Sequence, residues 1–152
     1  MEFARDRLGT SESDNSYSEK GNCSMLQVVL IAVGGSLGCV ARYGMATFVY
    51  EAVPGIFPWG TLFVNTTGSF LIGVLSEIFE TALIPSEWRS LITIGFIGGY
   101  TTFSTYALET LNLIREGEIQ AATYNVLAST VLGIAFVALG IYSSRVVIKL
   151  LT

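Results

Sequence analysis

The groups able to do chemistry in this chain are oxygens and ring edges rather than nucleophiles. Histidine is absent, and the only cysteines are Cys23 and Cys39. The commonest proton shuttle and metal ligand is therefore missing, and two unlinked cysteines make neither a disulfide framework nor a zinc site. The densest polar set lies in the run LITIGFIGGYTTFSTYALET, where Gly95, Gly98 and Gly99 are followed by Thr101, Thr102, Ser104 and Thr105. Glycine and β-branched threonine are poor helix residues, so helical structure is expected to be interrupted around Gly98-Gly99-Tyr100-Thr101. An interruption frees carbonyls, hard oxygen donors suited to a small cation, and opposed half-helix starts, which favour an anion. Phe103 and Tyr106 are three residues apart and so share a helix face. Aromatic rings have positive edges, and edge-on rings beside hydroxyls suit an anion. The residues alone leave the sign of the ion open, and leave open a plain glycine groove for helix packing.

Positioning these groups falls to four apolar segments. The chain of 152 residues is 51% hydrophobic and 13% charged, against roughly 25% charged in a soluble domain. Residues 21–41, 52–76, 90–108 and 119–144 carry no charge. Each is long enough, or nearly so with its flanks, for the roughly 20 residues of a spanning helix, and a soluble protein this small has too little interior to hide four of them. Spans are expected at about 26–50, 57–80, 88–114 and 119–148. The third is centred on Thr101, so its interruption is expected at mid-membrane, where broken-helix transport proteins hold their ligands. The first 24 residues, with three basic and five acidic side chains, are expected to be a disordered, solvated tail rather than a signal peptide. Asn22-Cys23-Ser24 matches a glycosylation pattern, a motif too short to carry weight. Two regions result, a tail over 1–24 and a membrane domain over 25–152.

Four spans put both termini on one side. That side has Arg89, Arg145 and Lys149, and the other has Arg42 and Arg115. Three against two gives the positive-inside rule little to choose between. A near-tie permits insertion in both directions and hence an antiparallel homodimer, although five charges can balance by chance and the tail's Arg5, Arg7 and Lys20 favour termini inside. In span one, Gly34 and Gly38 form a small-xxx-small face. Arg42 costs at least a few kcal/mol at membrane depth unless it snorkels, pairs or lines a wet cavity, so snorkelling and a cation at a pore mouth both stand. Asn65 lies about 12 Å along a helix begun near residue 57 and needs partners there, from another helix or an ion. Glu77 and Glu80 read as interfacial charges, and Glu109 follows Phe103 and Tyr106 on the same expected face. In span four, Asn125 and Ser129 share a face, for a polar lining or for packing.

The run Gly98-Gly99-Tyr100-Thr101-Thr102-Phe103-Ser104-Thr105-Tyr106 resembles the Fluc (CrcB) fluoride channels, whose pattern is close to GGxTTFSTF. Gly34-Gly35 through Arg42, Gly60 through Asn65, and Glu109 agree with that family in order and spacing, and the resemblance covers about residues 25–150. It implies a four-helix, dual-topology antiparallel homodimer in the cell (inner or plasma) membrane, with two fluoride pores. It implies a structural Na⁺ on the two-fold axis, held by the carbonyls of Gly98 and Thr101. It assigns Phe103 and Tyr106 as pore aromatics, Asn65 as the pore asparagine and Arg42 as the vestibule cation. Thr102, Ser104 and Thr105 become the polar track, Glu109 the span-three glutamate, and Tyr124 the span-four tyrosine. Tyr106 stands where the family pattern has phenylalanine, which adds a hydroxyl near the ion path.

The implied function is a passive channel that exports cytoplasmic fluoride and so relieves its toxicity. Fluoride that enters as HF ionises in a more alkaline cytosol. The membrane potential, worth about 2.3 kcal/mol per charge per 100 mV, then drives it out. The implied partners are fluoride, a second copy of the chain and the bilayer, with no nucleic acid. No nucleophile–base pair and no phosphate-binding loop point to an enzyme. A small proton-coupled drug antiporter would need a carboxylate deep in the membrane, typically in span one, and residues 21–41 hold none. A non-transporting scaffold would leave the polar set of Asn65, Thr102 and Ser104 without a purpose.

Overall fold

A computed structural model of the chain describes residues 25–82 and 84–151, the last through its backbone alone. The expectations placed on the tail, including Asn22 and Cys23, lie outside the described residues. The long charge-free segments fold as helices because a helix satisfies its own backbone polar groups where water cannot. Helix α1 spans Met25–Ala52 and α2 spans Trp59–Thr81. The third segment is composite: α3 at Ser86–Ser90, a π-helix at Leu91–Ile97 (π1) and α4 at Gly98–Tyr100. Helix α5 follows at Phe103–Arg115 and α6 at Ile119–Leu151. Three of these, α1, α2 and α6, are long and apolar enough to cross a membrane.

Local chemistry sets the ends. Pro58 precedes the first turn of α2 and Pro85 that of α3, positions where the missing N–H is not needed. Helix α5 ends on Gly117, whose φ of 82° is left-handed. Gly117 N–H donates to Ile114 C=O at 3.1 Å and Glu118 N–H to Leu113 C=O at 2.9 Å. This pair of bonds stops the helix and reverses the chain into α6. At the other end of the bundle, Arg145 of α6 pairs with Glu77 of α2 at 2.9 Å. Arg89 donates to the carbonyls of Ile84 and Ala82 and lies 5.5 Å from the centre of the Phe79 ring.

Two glycine seams bring the backbones together. Gly34 and Gly38 of α1 face Gly95 of π1 and Gly99 of α4. A β-carbon on Gly34 would lie 2.3 Å from the Leu91 carbonyl oxygen, one on Gly38 2.1 Å from that of Phe96, and one on Gly99 2.5 Å from that of Gly35. The second seam joins α2 to α6, where a β-carbon on Gly73 would lie 2.3 Å from the Val137 carbonyl oxygen and one on Gly140 2.3 Å from that of Phe70. Such close backbone approach is the usual glue of helices in a bilayer, where hydrophobic association is weak. Much of the remaining surface of α1 and α6 is apolar and exposed, with Val40 at 71% and Ile134 at 70%. That surface fits lipid or another protein surface, not water.

Gly38→Ala is expected to destabilise the fold by about 1–3 kcal/mol, the usual effect of overpacking. Gly44→Ala, on the same helix with open space around it, is expected to be neutral or to stabilise by up to about 1 kcal/mol. Unfolding of the purified protein in mixed micelles compares the two, and equal stabilities would contradict the seam.

Candidate functional site

Helical backbone runs to Tyr100, and two residues then leave it. Thr101 has φ −84° and ψ 159°, and Thr102 has φ −149° and ψ 120°, both extended. In a continuous helix the Thr102 N–H would bond to Gly98 C=O and the Thr105 N–H to Thr101 C=O. Both donors go elsewhere. The Thr102 N–H donates to Asn65 Oδ1 at 2.8 Å, while Asn65 Nδ2 donates to Thr102 C=O at 2.9 Å. The Thr105 N–H donates to Thr102 Oγ1 at 3.2 Å, an N-cap that starts α5. The carbonyls of Gly98 and Thr101 are thereby released from their helical donors. Gly68 of α2 makes room at this point, since a β-carbon there would lie 2.3 Å from Thr101 Cγ2.

The extended pair opens on a groove of about 570 Å³ lined by Asn65, Gly98, Thr101, Thr102, Phe103 and Tyr106, with Ser69, Thr93, Ser129 and Thr130 among the remaining wall residues. The Phe103 and Tyr106 rings sit 5.6 Å apart with planes inclined by 51°. Six of the expected site residues thus share one groove. The two released carbonyls are hard oxygen donors, which fit a small hard cation. Two from one chain make an incomplete shell, which water or a second copy would have to finish. Among the described residues no group of three or more His, Cys, Asp or Glu side chains could hold a metal instead.

The other expected site residues lie elsewhere. Ser104 and Thr105 are exposed in the first turn of α5, where the Thr102 hydroxyl donates to Thr105 Oγ1 at 3.0 Å. Tyr124 is 64% exposed on α6. Arg42 is half-buried in α1, ten residues before the helix ends, and reaches Cys39 Sγ at 3.9 Å. Glu109 is outside the groove. Successive three-residue steps each fall roughly 60° short of a turn, so two steps from Phe103 carry Glu109 around α5 toward α1 and α2. There Glu109 Oε1 accepts from the Tyr50 hydroxyl at 2.7 Å and the Thr61 hydroxyl at 2.8 Å. The Tyr50 oxygen also accepts the Thr61 N–H at 3.3 Å, while Glu109 Oε2 is buried without a partner. A smaller cavity of about 200 Å³ adjoins this cluster, with Asn112 and Glu116 in its wall.

Sequence reasoning did not reach Tyr50 or Thr61. They lie 59 and 48 residues from Glu109, and no periodicity connects them. The room for Tyr50 comes from Gly60, where a β-carbon would lie 2.6 Å from the tyrosine ring. Asn125 is fully buried and makes packing bonds. Its Nδ2 donates to Thr110 Oγ1 at 2.9 Å, and that hydroxyl donates to Tyr106 C=O at 2.8 Å. This chain of bonds fixes α5 beside the groove, while Ser129 both lines the groove and donates to Asn125 Oδ1 at 3.4 Å. Tyr100, inside the GGYTT run, shares a hydrogen bond of 3.0 Å with the Thr67 hydroxyl of α2.

Residues 29–141 match the family model described as CrcB-like protein, Camphor Resistance (CrcB). A protein of Geobacter metallireducens named fluoride-specific ion channel FluC is 51% identical over 122 residues, covering 80% of this chain and 98% of its own length. Proteins of the same name from Geobacter sulfurreducens and Salinibacter ruber are 48% and 47% identical, covering 80% and 76% of this chain and 98% and 87% of themselves.

Thr61→Val removes one of the two donors to Glu109, leaving Tyr50, and is expected to destabilise the protein by about 0.5–1.5 kcal/mol, the net effect of losing one hydrogen bond. In a Glu109→Ala background the same change should have much less effect. A double-mutant cycle on unfolding in micelles measures this, and additive losses would show that Thr61 and Glu109 do not interact.

Proposed function

Because the chain belongs to the CrcB-like family, we propose that it is a passive, fluoride-selective ion channel that exports cytoplasmic fluoride and so relieves its toxicity. It is a multi-pass membrane protein and not an enzyme. The observation that supports the reading most is the groove at Thr101 and Thr102, where an asparagine amide, hydroxyls and two aromatic rings converge beside extended backbone. Residues 86–115 would then be the third span of four, interrupted at mid-membrane. Irregular backbone is tolerated at that depth only where it lines a cavity or is buried in protein.

Fluoride is small and strongly hydrated, so a path for it has to replace water with other donors. Asn65 keeps one amide N–H beyond its bond to Thr102, and Ser104 and Thr105 of the polar track supply hydroxyls, while the Thr102 hydroxyl would join them by turning from Thr105 Oγ1. The inclined rings of Phe103 and Tyr106 present positive edges. Arg42 has no carboxylate partner among the described residues, which leaves its charge to draw anions toward the path. Glu109 and Tyr124 would act at the ends of the path. The carbonyls of Gly98 and Thr101 would hold a structural Na⁺ that bridges two copies of the chain and is not transported. A second copy in the opposite orientation would complete that shell and cover the exposed Phe103 side of the groove. The near-equal basic charge at the two ends of the bundle is compatible with such antiparallel pairing.

Liposomes holding the purified protein are expected to release fluoride rapidly while retaining chloride. Absence of fluoride release beyond that of empty liposomes would overturn the proposal. Phe103→Ala is expected to slow release about tenfold or more, the effect of raising the barrier by about 1.4 kcal/mol. Tyr106→Phe, which restores the family pattern, should retain conduction, and its complete loss would show that the hydroxyl is essential.

A further inference from the structure

We propose that Asn65 and the Thr102 hydroxyl are positioning groups for the cation site, so that one side chain serves both the anion groove and the cation-binding carbonyls. This rests on the Na⁺ reading above. A carbonyl in a helix is occupied by the N–H four residues later. Which carbonyls a break sets free therefore depends on where the displaced N–H groups go. Asn65 Oδ1 takes the N–H that would serve Gly98, at 2.8 Å, and Thr102 Oγ1 takes the one that would serve Thr101, at 3.2 Å. Asn65 Nδ2 at the same time occupies the Thr102 carbonyl, at 2.9 Å. One amide and one hydroxyl thus keep the Gly98 and Thr101 oxygens open, by holding the two N–H groups that would otherwise close them.

The selection is energetic as well as geometric. A buried backbone group without a partner is costly, so the extended pair persists only while Asn65 satisfies both the N–H and the C=O of Thr102. Without Asn65, the Thr102 N–H regains its bond to Gly98 C=O by re-forming helix, and that carbonyl is lost to a cation. The Asn65 side chain also lines the groove beside Phe103 and Tyr106. Changes at Asn65 should therefore disturb cation binding and anion flux together, while Phe103 touches only the second.

The test is the Na⁺ dependence of thermal stability of the purified full-length protein, with N-methyl-D-glucamine as the replacement cation, alongside fluoride efflux from liposomes. Outer-shell groups that orient metal ligands typically change affinity by about 10–100-fold. Asn65→Ala and Thr102→Val are each expected to raise the Na⁺ midpoint by that order or to abolish the Na⁺ response. Thr102→Ser, which keeps the hydroxyl, should restore the wild-type midpoint. Asn65→Asp keeps the acceptor for the Thr102 N–H but loses the donor to the Thr102 carbonyl, so its midpoint should lie between those of wild type and Asn65→Ala. Thr123→Val, remote from the groove, should match wild type in both assays. A responsive wild type with unchanged midpoints in Asn65→Ala and Thr102→Val would overturn this proposal and leave the Na⁺ site standing. A wild type indifferent to Na⁺ would overturn the site and the positioning role together. Should Asn65→Ala fail to fold, Thr102→Val against Thr102→Ser decides, and equal midpoints in those two would overturn the positioning role.

Discussion

The Asn65 amide and the backbone of Thr102 exchange two hydrogen bonds, at 2.9 and 2.8 Å, and most of the central architecture depends on that exchange. Extended backbone within an apolar bundle has no water to complete its hydrogen bonds. A side-chain amide carries one donor end and one acceptor end, and so can satisfy both backbone polar groups of a single residue. With Thr102 held in this way, π1 and α4 can end at Tyr100, α5 can restart on a threonine cap, and a groove can open where a continuous helix would have filled the space.

That exchange works only if α2 stands at a fixed distance from the extended pair. Two glycine seams set the distance. One locks π1 and α4 against α1 through Gly34, Gly38, Gly95 and Gly99, and the other locks α2 against α6 through Gly73 and Gly140. Gly68 then lets α2 approach Thr101 closely, three residues along from Asn65. Glycines that read in isolation as helix breakers are here the residues that let helices touch.

Much of this was legible in the sequence, for a physical reason. Charge-free length is a one-dimensional property, so the expected segments at 26–50, 57–80 and 119–148 agree closely with α1, α2 and α6. The expectation of an interruption around Gly98-Gly99-Tyr100-Thr101 rested on glycine and threonine weakening helix wherever they lie. The extended residues are Thr101 and Thr102, beyond the glycines, while Gly95 and Gly99 stay helical where α1 packs closely against them. Asn65 could be singled out as costly at its depth, but its partner could not, since 37 residues separate the two. The same limit hid the Tyr50–Thr61–Glu109 cluster, where the position of Glu109 follows from the drift of a 3.6-residue helix over two three-residue steps.

A groove of donors and ring edges at an interrupted helix is suited to an ion that must exchange its water for protein contacts, and family membership makes fluoride the ion to try first. Passive, selective conduction has one direct electrical signature. In a planar bilayer with a tenfold fluoride gradient, equal chloride and equal pH on both sides, the current should reverse close to the fluoride equilibrium potential, about 59 mV from zero for a single charge. Reversal at zero, or a reversal potential that follows an imposed pH gradient instead, would contradict the account.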